Sequence, residues 1–140
     1  MSNSPVQVTL VQQQDYRFDI HFGDEPAPLG TGLGPSPVQL LCAAVGNCLS
    51  DSLLFALRKF KQAPEPIRCE ITAEVGRNPE GRMRVLSMAA RLTLGVPATS
   101  LVHLDRVLDQ FEAYCTVTQS VGQGIPIAIE VADSTGTRLK

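Results

Sequence analysis

No run of lysine or arginine occurs anywhere in the 140 residues, and the net charge is −2. The electrostatic footprint that a phosphate backbone or an anionic lipid surface demands is therefore missing, so nucleic-acid and membrane roles fall away. No uninterrupted apolar run of about 18 residues is present, and the opening MSNSPVQVTL has no basic segment leading into a long apolar one. Export and membrane insertion have no support, and a cytoplasmic protein is the expectation. The four cysteines, Cys42, Cys48, Cys69 and Cys115, form no C-x-x-C pair, and His21 and His103 are the only histidines. Zinc-ligand spacing is absent, so no metal is called for. In a reducing compartment the cysteines start as thiols. Gly30, Gly32 and Gly34 are followed by no P-loop lysine and read as a flexible connector, not a phosphate cradle.

What is present fits one globular domain over residues 1–140, with 44% apolar and 19% charged residues. Val6 to Val11 reads as a short strand. Tyr16, Phe18, Ile20 and Phe22 alternate with Arg17, Asp19 and His21, the period of a half-buried strand. Ser36, Pro37 and Gln39 form a capping-box start with proline at the first helical position, which predicts a helix to about Lys61, ended by Pro64 and Pro66. Residues 67–75 and 86–94 alternate on either side of the turn RNPEG and read as a hairpin. In the second strand Leu86, Met88, Ala90, Leu92 and Leu94 share one face. Thr99 or Ser100 can cap a second helix with the stripe Leu101, Leu104, Val107, Leu108 and Phe111. A short third helix follows Cys115, where Thr116 and Gln119 have capping-box spacing; Gly122 and Gly124 close it. Ile125, Ile127, Ile129 and Val131 make a last strand before a polar tail. This order is that of an α+β fold with mostly antiparallel pairing.

The first helix is apolar on nearly every face, including Leu40, Leu41, Ala44, Val45, Leu49, Leu53 and Phe55. A helix of that kind must be covered on several sides, and one small sheet lacks the material to do so. A second copy of the chain, in a homodimer, would cover it; so would a large enclosing sheet.

A free cysteine taken alone is most often a small buried hydrophobe. Cys69, between Ile67 and Ile71 on a strand, fits that description. Cys42 lies ~9 Å of helical rise and about 120° away from Cys48, so the two cannot be bridged within a helix. Cys48 differs, because Asn47, Ser50, Asp51 and Ser52 interrupt the apolar run around it, and Asp51 and Ser52 share its face. It is too far from the helix start for the macrodipole to favour a thiolate, and Asp51 opposes one. A cation must come from elsewhere. Arg17 is the only lysine or arginine before Arg58, and either serves a Cys48 thiolate and Asp51 or is a solvated strand arginine. His21 shares its face. Cys115, at or just before a helix start, is either an attacking thiol or a small buried residue.

GPSPVQLLCAAVGNCLS at a helix start, followed far along the chain by AYCTVTQSV before a final strand, resembles the OsmC/Ohr family of osmotically inducible and organic hydroperoxide resistance proteins, from about Asp15 to Ala132. The resemblance implies an OsmC-like fold: antiparallel sheets wrapped around long central helices in an intertwined homodimer with interfacial active sites. It also implies a thiol peroxidase. Cys48 matches the peroxidatic cysteine that becomes a sulfenic acid, and Cys115 the resolving cysteine that closes a disulfide. Arg17 matches the arginine that stabilises the thiolate. An external dithiol reductant, lipoyl-type in related proteins, restores the thiols, and no bound cofactor is implied. Two positions depart from the pattern: Val38 stands where active hydroperoxide reductases carry the glutamate that anchors the arginine, and Cys115-Thr116-Val117 stands for Cys-Pro-Val. A divergent branch is expected, and the alternative it leaves open is a small-molecule binding or redox-sensing protein on the same fold.

Overall fold

Alternation along the first and third strands decides where the core sits. In β1 (Val6–Gln14) Val6, Val8 and Leu10 point to one face and are buried; in β3 (Arg68–Arg77) Cys69, Ile71 and Ala73 do the same. The two strands pair antiparallel with Leu10 opposite Cys69 and Val8 opposite Ile71, so both apolar rows form one surface. A computed structural model of the chain describes residues 5–23 and 35–140 and completes this sheet in the order β2-β1-β3-β4-β5, with β2 at Arg17–His21, β4 at Met83–Thr93 and β5 at Ile127–Ala132. The glycine connector expected at Gly30, Gly32 and Gly34 lies outside the described residues.

The first helix, α1 (Pro37–Lys59), starts as its sequence predicts. Ser36 Oγ accepts from Gln39 N at 3.1 Å, Ser36 N donates to Gln39 Oε1 at 2.7 Å, and Pro37 opens the first turn. Cys42, Val45, Leu49, Leu53 and Leu57 bury completely against the sheet. Gly46 lets the helix approach closely: a Cβ there would stand 2.7 Å from Leu10 Cδ1 and 3.3 Å from Ile71 Cγ2. By length and composition α1 could cross a membrane; here it is the central helix of the core, with one side on the sheet.

Three of the four strand pairs are antiparallel, and β4 with β5 is parallel. Parallel neighbours need a crossover. Residues 94–126 supply it as a 3-10 turn (Ala98–Ser100), α2 (Leu104–Gln110), a second 3-10 turn (Phe111–Tyr114) and α3 (Thr116–Val121), laid across α1 on the helical side of the sheet. Mostly antiparallel pairing is thus what the sheet has, with the exception at this one edge.

Other departures have local causes. Leu86 was expected in the core row of β4, yet it is 38% exposed, because Glu74 pairs with Ser87 while Val75 pairs with Val85, leaving Leu86 as the extra residue of a β-bulge. Helix α2 begins at Leu104, not after Thr99 or Ser100; those two lie in the 3-10 turn, and His103 precedes α2 in the left-handed conformation, its ring 5.3 Å from that of Phe60. The expected polar tail is tied down. Asp133, almost wholly buried, accepts from Ala98 N at 2.9 Å, Thr135 Oγ1 at 2.6 Å, and Thr135 N and Thr137 N at 3.0 Å each. Lys140 ion-pairs with Glu112 and donates to Leu108 O.

Two stability predictions follow from this packing. Gly46→Val should destabilise the fold by about 1–3 kcal/mol in urea denaturation, because two side-chain atoms of the sheet occupy the space its methyls need; unchanged stability would mean that α1 does not sit this close. The hydrogen bonds to Asp133, led by the Thr135 hydroxyl and Ala98 N–H, pull its pKa down from 3.8 to about 2. Its stabilising effect should be complete above the unfolded value and vanish as pH falls toward the folded one. Asp133→Ala should flatten that part of the acid-unfolding curve and leave its neutral-pH side parallel to the parent's.

Candidate active site

The crossover carries Cys115 back across α1. It occupies the N-cap position of α3, wholly buried, and its thiol lies close enough to interact with that of Cys48, which sits half-buried on the flank of α1. Both cysteines are reduced. Sulfurs remote in sequence are thus neighbours in space. The Cys115 Sγ–H also donates to Thr118 Oγ1 at 2.9 Å. Burial pushes the Cys115 thiol up, contact with Cys48 pushes it further, and the Thr118 side chain and N–H pull it back. The expected Thr116/Gln119 capping box does not form: Cys115 itself takes the cap position, and the Gln119 amide donates to Glu112 O at 3.0 Å.

Cys42 and Cys69 are brought to neither sulfur's side in any hydrogen bond, and both are fully buried. Burial raises Cys42 to about 11 and Cys69 to about 12, the latter despite a hydrogen bond with Ser50. At neutral pH both are inert thiols. This accords with reading Cys42 and Cys69 as core.

One turn beyond Cys48, burial raises the Asp51 carboxyl, and its Oδ1 is buried without a hydrogen-bond partner among the described residues. Asp51 and Ser52 border a cavity of about 470 Å³ that continues along α1 between Phe55, Phe60, Phe111 and Tyr114. Five of the eleven residues that line it are aromatic. It has room for the organic part of a small ligand, and Asp51 in its wall is one helical turn from Cys48.

Arg17 is not drawn into this group within one chain. It lies exposed on the edge strand β2, paired through its backbone with Gln14, and makes no ion pair or side-chain hydrogen bond among the described residues. His21 is exposed on the same strand. The cation that does engage this end of the molecule is Arg58, which the sequence reading passed over. It pairs with Glu65 at 2.8 Å and Asp15 at 3.3 Å and lies 5.4 Å from the Tyr16 ring centre, tying the β1–β2 turn to the end of α1. Arg58 is about 15 Å of helical rise from Cys48, so its role is structural. Thr118 was also passed over; its position three residues after Cys115, on the same turn of a short helix, was the available signal. Val38 is half-buried in the first turn of α1 and offers no anchor to an arginine.

Thiol accessibility should follow this geometry. In reduced native protein, iodoacetamide should modify Cys48 first while Cys42 and Cys69 resist until denaturant is added, as read by peptide mass spectrometry. Early labelling of Cys42 or Cys69 would contradict the burial assigned to them.

Comparison with known proteins agrees with this architecture. The family model described as OsmC-like protein matches residues 30–130. An OsmC-like protein of unknown function from Vibrio cholerae superposes with a TM-score of 0.61 at 16% identity, covering 94% of this chain and 99% of that one. An organic hydroperoxide resistance protein, OsmC, from Legionella pneumophila gives 0.60 at 13% identity, covering 89% and 96%. One from Elizabethkingia anophelis, with thiocyanate bound, gives 0.59 at 12% identity, covering 71% and 69%. A search of curated protein sequences yields no match. At these identities the solved structures speak to the fold alone, whereas the family model spans most of the chain: it belongs to the OsmC-like protein family.

Proposed function

We propose that the protein is a thiol-dependent peroxidase that reduces organic hydroperoxides to alcohols. The observation that carries this reading is the contact between the Cys48 and Cys115 thiols beside an aromatic-walled cavity. Cys48 is the accessible member of the pair. Its thiolate attacks the terminal peroxide oxygen, the O–O bond breaks, alcohol leaves, and Cys48 becomes a sulfenic acid. Cys115 then attacks the Cys48 sulfur, the S–O bond breaks, water leaves, and a disulfide joins the two. An external dithiol, of the lipoyl type, reopens it by exchange. The apolar wall formed by Phe55, Phe111 and Tyr114 favours an organic peroxide over hydrogen peroxide. A reducing cytoplasm, where the pair is reset after each turnover, suits this cycle.

The acting unit in this proposal is a homodimer. On the side of α1 that carries Cys48, Leu40 is 52% exposed and Phe55 63% exposed, and Tyr114 and Val117 lie exposed nearby. Such a patch on a central helix calls for a cover, and a second copy seated there would close both sites. In this proposal the exposed Arg17 of β2 is the cation that the second copy supplies to a thiol pair that has none beside it among the described residues.

A second reading has one observation behind it. The unpartnered Asp51 Oδ1 in the cavity wall, with Val38 in place of a carboxylate, offers a buried acceptor to a ligand and suits a small-molecule binding protein whose thiols sense oxidation. The two readings separate on rate. Reduced protein mixed with stoichiometric cumene or tert-butyl hydroperoxide should form a Cys48–Cys115 disulfide far faster than free thiol oxidises. Reductant-dependent peroxide consumption should disappear in Cys48→Ser. Oxidation at the pace of free cysteine, with consumption unaffected by that substitution, would exclude the peroxidase and leave the binding protein.

A further inference from the structure

We propose that Thr118 is the positioning residue for the resolving thiol: its hydroxyl accepts the Cys115 S–H in the reduced protein and turns to donate to the sulfur once that proton has left. The assignment rests on Cys48 and Cys115 acting as a redox pair, as proposed above. Thr118 is almost wholly buried in the first turn of α3, with Oγ1 2.9 Å from Cys115 Sγ. Its neighbours cannot take its place. Thr116 and Val117 are exposed, and the Gln119 amide is engaged with Glu112 O.

The surroundings of Cys115 make such a group necessary. A wholly buried sulfur must become a thiolate to attack, and a buried anion without donors is costly. The titratable group next to it is Cys48 on α1, whose contact raises Cys115 in the reduced protein and which is a neutral sulfenic acid when Cys115 attacks. The charged groups on the elements packed around it are Asp51, Arg58 and Lys59 on α1, the last two at its far end, and Glu112 in the 3-10 turn, paired with Lys140; none of these hydrogen-bonds the sulfur. The hydroxyl and N–H of Thr118 are what oppose burial. A hydroxyl suits both halves of the step because it can accept from a thiol and donate to a thiolate by rotating about one bond. As the S–S bond forms, the Cys48 S–O bond breaks, and the departing hydroxide recovers the proton that Cys115 gave up, leaving as water. Cys115 is oxidised and Cys48 reduced from sulfenic acid to disulfide, so the electrons balance. The hydroxyl ends the step with its own proton.

The test removes peroxide from the question. Cys48 of the full chain is loaded as its mixed disulfide with thionitrobenzoate, and release of the second thionitrobenzoate reports attack by Cys115 alone; Cys115→Ser should release only the first. Thr118→Val should slow that release about ten-fold at neutral pH, the effect of removing a hydrogen bond to a charged group. It should also move the midpoint of the rate–pH curve upward, while Thr118→Ser keeps the parent's rate and midpoint. A merely structural role for Thr118 would leave the midpoint unmoved. Should Thr118→Val lose the parent's circular dichroism, Thr118→Ala supplies the same comparison. Release at the parent's rate and midpoint in the hydroxyl-free variant would overturn the assignment. Failure of the peroxidase reading appears elsewhere, as no Cys48 oxidation by hydroperoxide, with the thionitrobenzoate release intact.

Discussion

The parallel pairing of β4 with β5 is the constraint from which the candidate site descends. An antiparallel neighbour could have been reached through a tight turn; a parallel one obliges the chain to return to the starting end of the sheet before pairing. The return path has only one apolar surface to lie on, the flank of α1 left uncovered by the sheet, and Val107, Leu108 and Phe111 bury there. Once Phe111 is seated, the 3-10 turn that follows has a single place to end, and it ends with Cys115 against Cys48. The sulfur contact is thus a by-product of how a helix is covered, made durable by the core around it.

Burial sorts the four cysteines into different chemical fates. Cys42 and Cys69 are deep on the sheet side of α1, where desolvation holds each as a neutral thiol, and Cys69 adds packing against the close approach at Gly46. Cys48 is on the opposite flank, half-buried, where polar side chains interrupt the helix. Cys115 is as buried as the inert pair, yet its thiol meets Cys48 and has both the hydroxyl and the N–H of Thr118 opposing burial, where Cys69 has the Ser50 hydroxyl alone. What separates the two classes is the neighbouring Cys48 sulfur more than depth. The same flank carries Asp51, its pKa raised by burial, with the one buried side-chain oxygen or nitrogen that has no hydrogen-bond partner among the described residues.

Much of this was legible beforehand, for reasons that can be named. Ser36, Pro37 and Gln39 specify a helix start by local hydrogen bonding, and the strict alternation in residues 67–75 specifies a strand by burial of one face; both signals are contained in a few adjacent residues. Leu86 was misplaced because a bulge shifts the period by one residue, and nothing in its immediate neighbours announces it. Helix α2 was started early because Leu101 is buried from the 3-10 turn and so joins an apolar stripe to which it does not helically belong. At the site, Cys48 stands out by the polar residues around it. Its meeting with Cys115 depends on the crossover, which no local pattern encodes, and it was reached through family resemblance. Thr118 escaped notice because threonine three residues after a cysteine is unremarkable until the sulfur is known to face it.

Equilibration in a glutathione redox buffer tests most directly whether the fold makes these two sulfurs a unit. The account predicts that Cys48 and Cys115 oxidise together, to one intramolecular disulfide in a protein that keeps its secondary structure, with mixed disulfides to glutathione remaining scarce across the titration. Separate glutathione adducts on Cys48 and Cys115, each accumulating without the other, would contradict it.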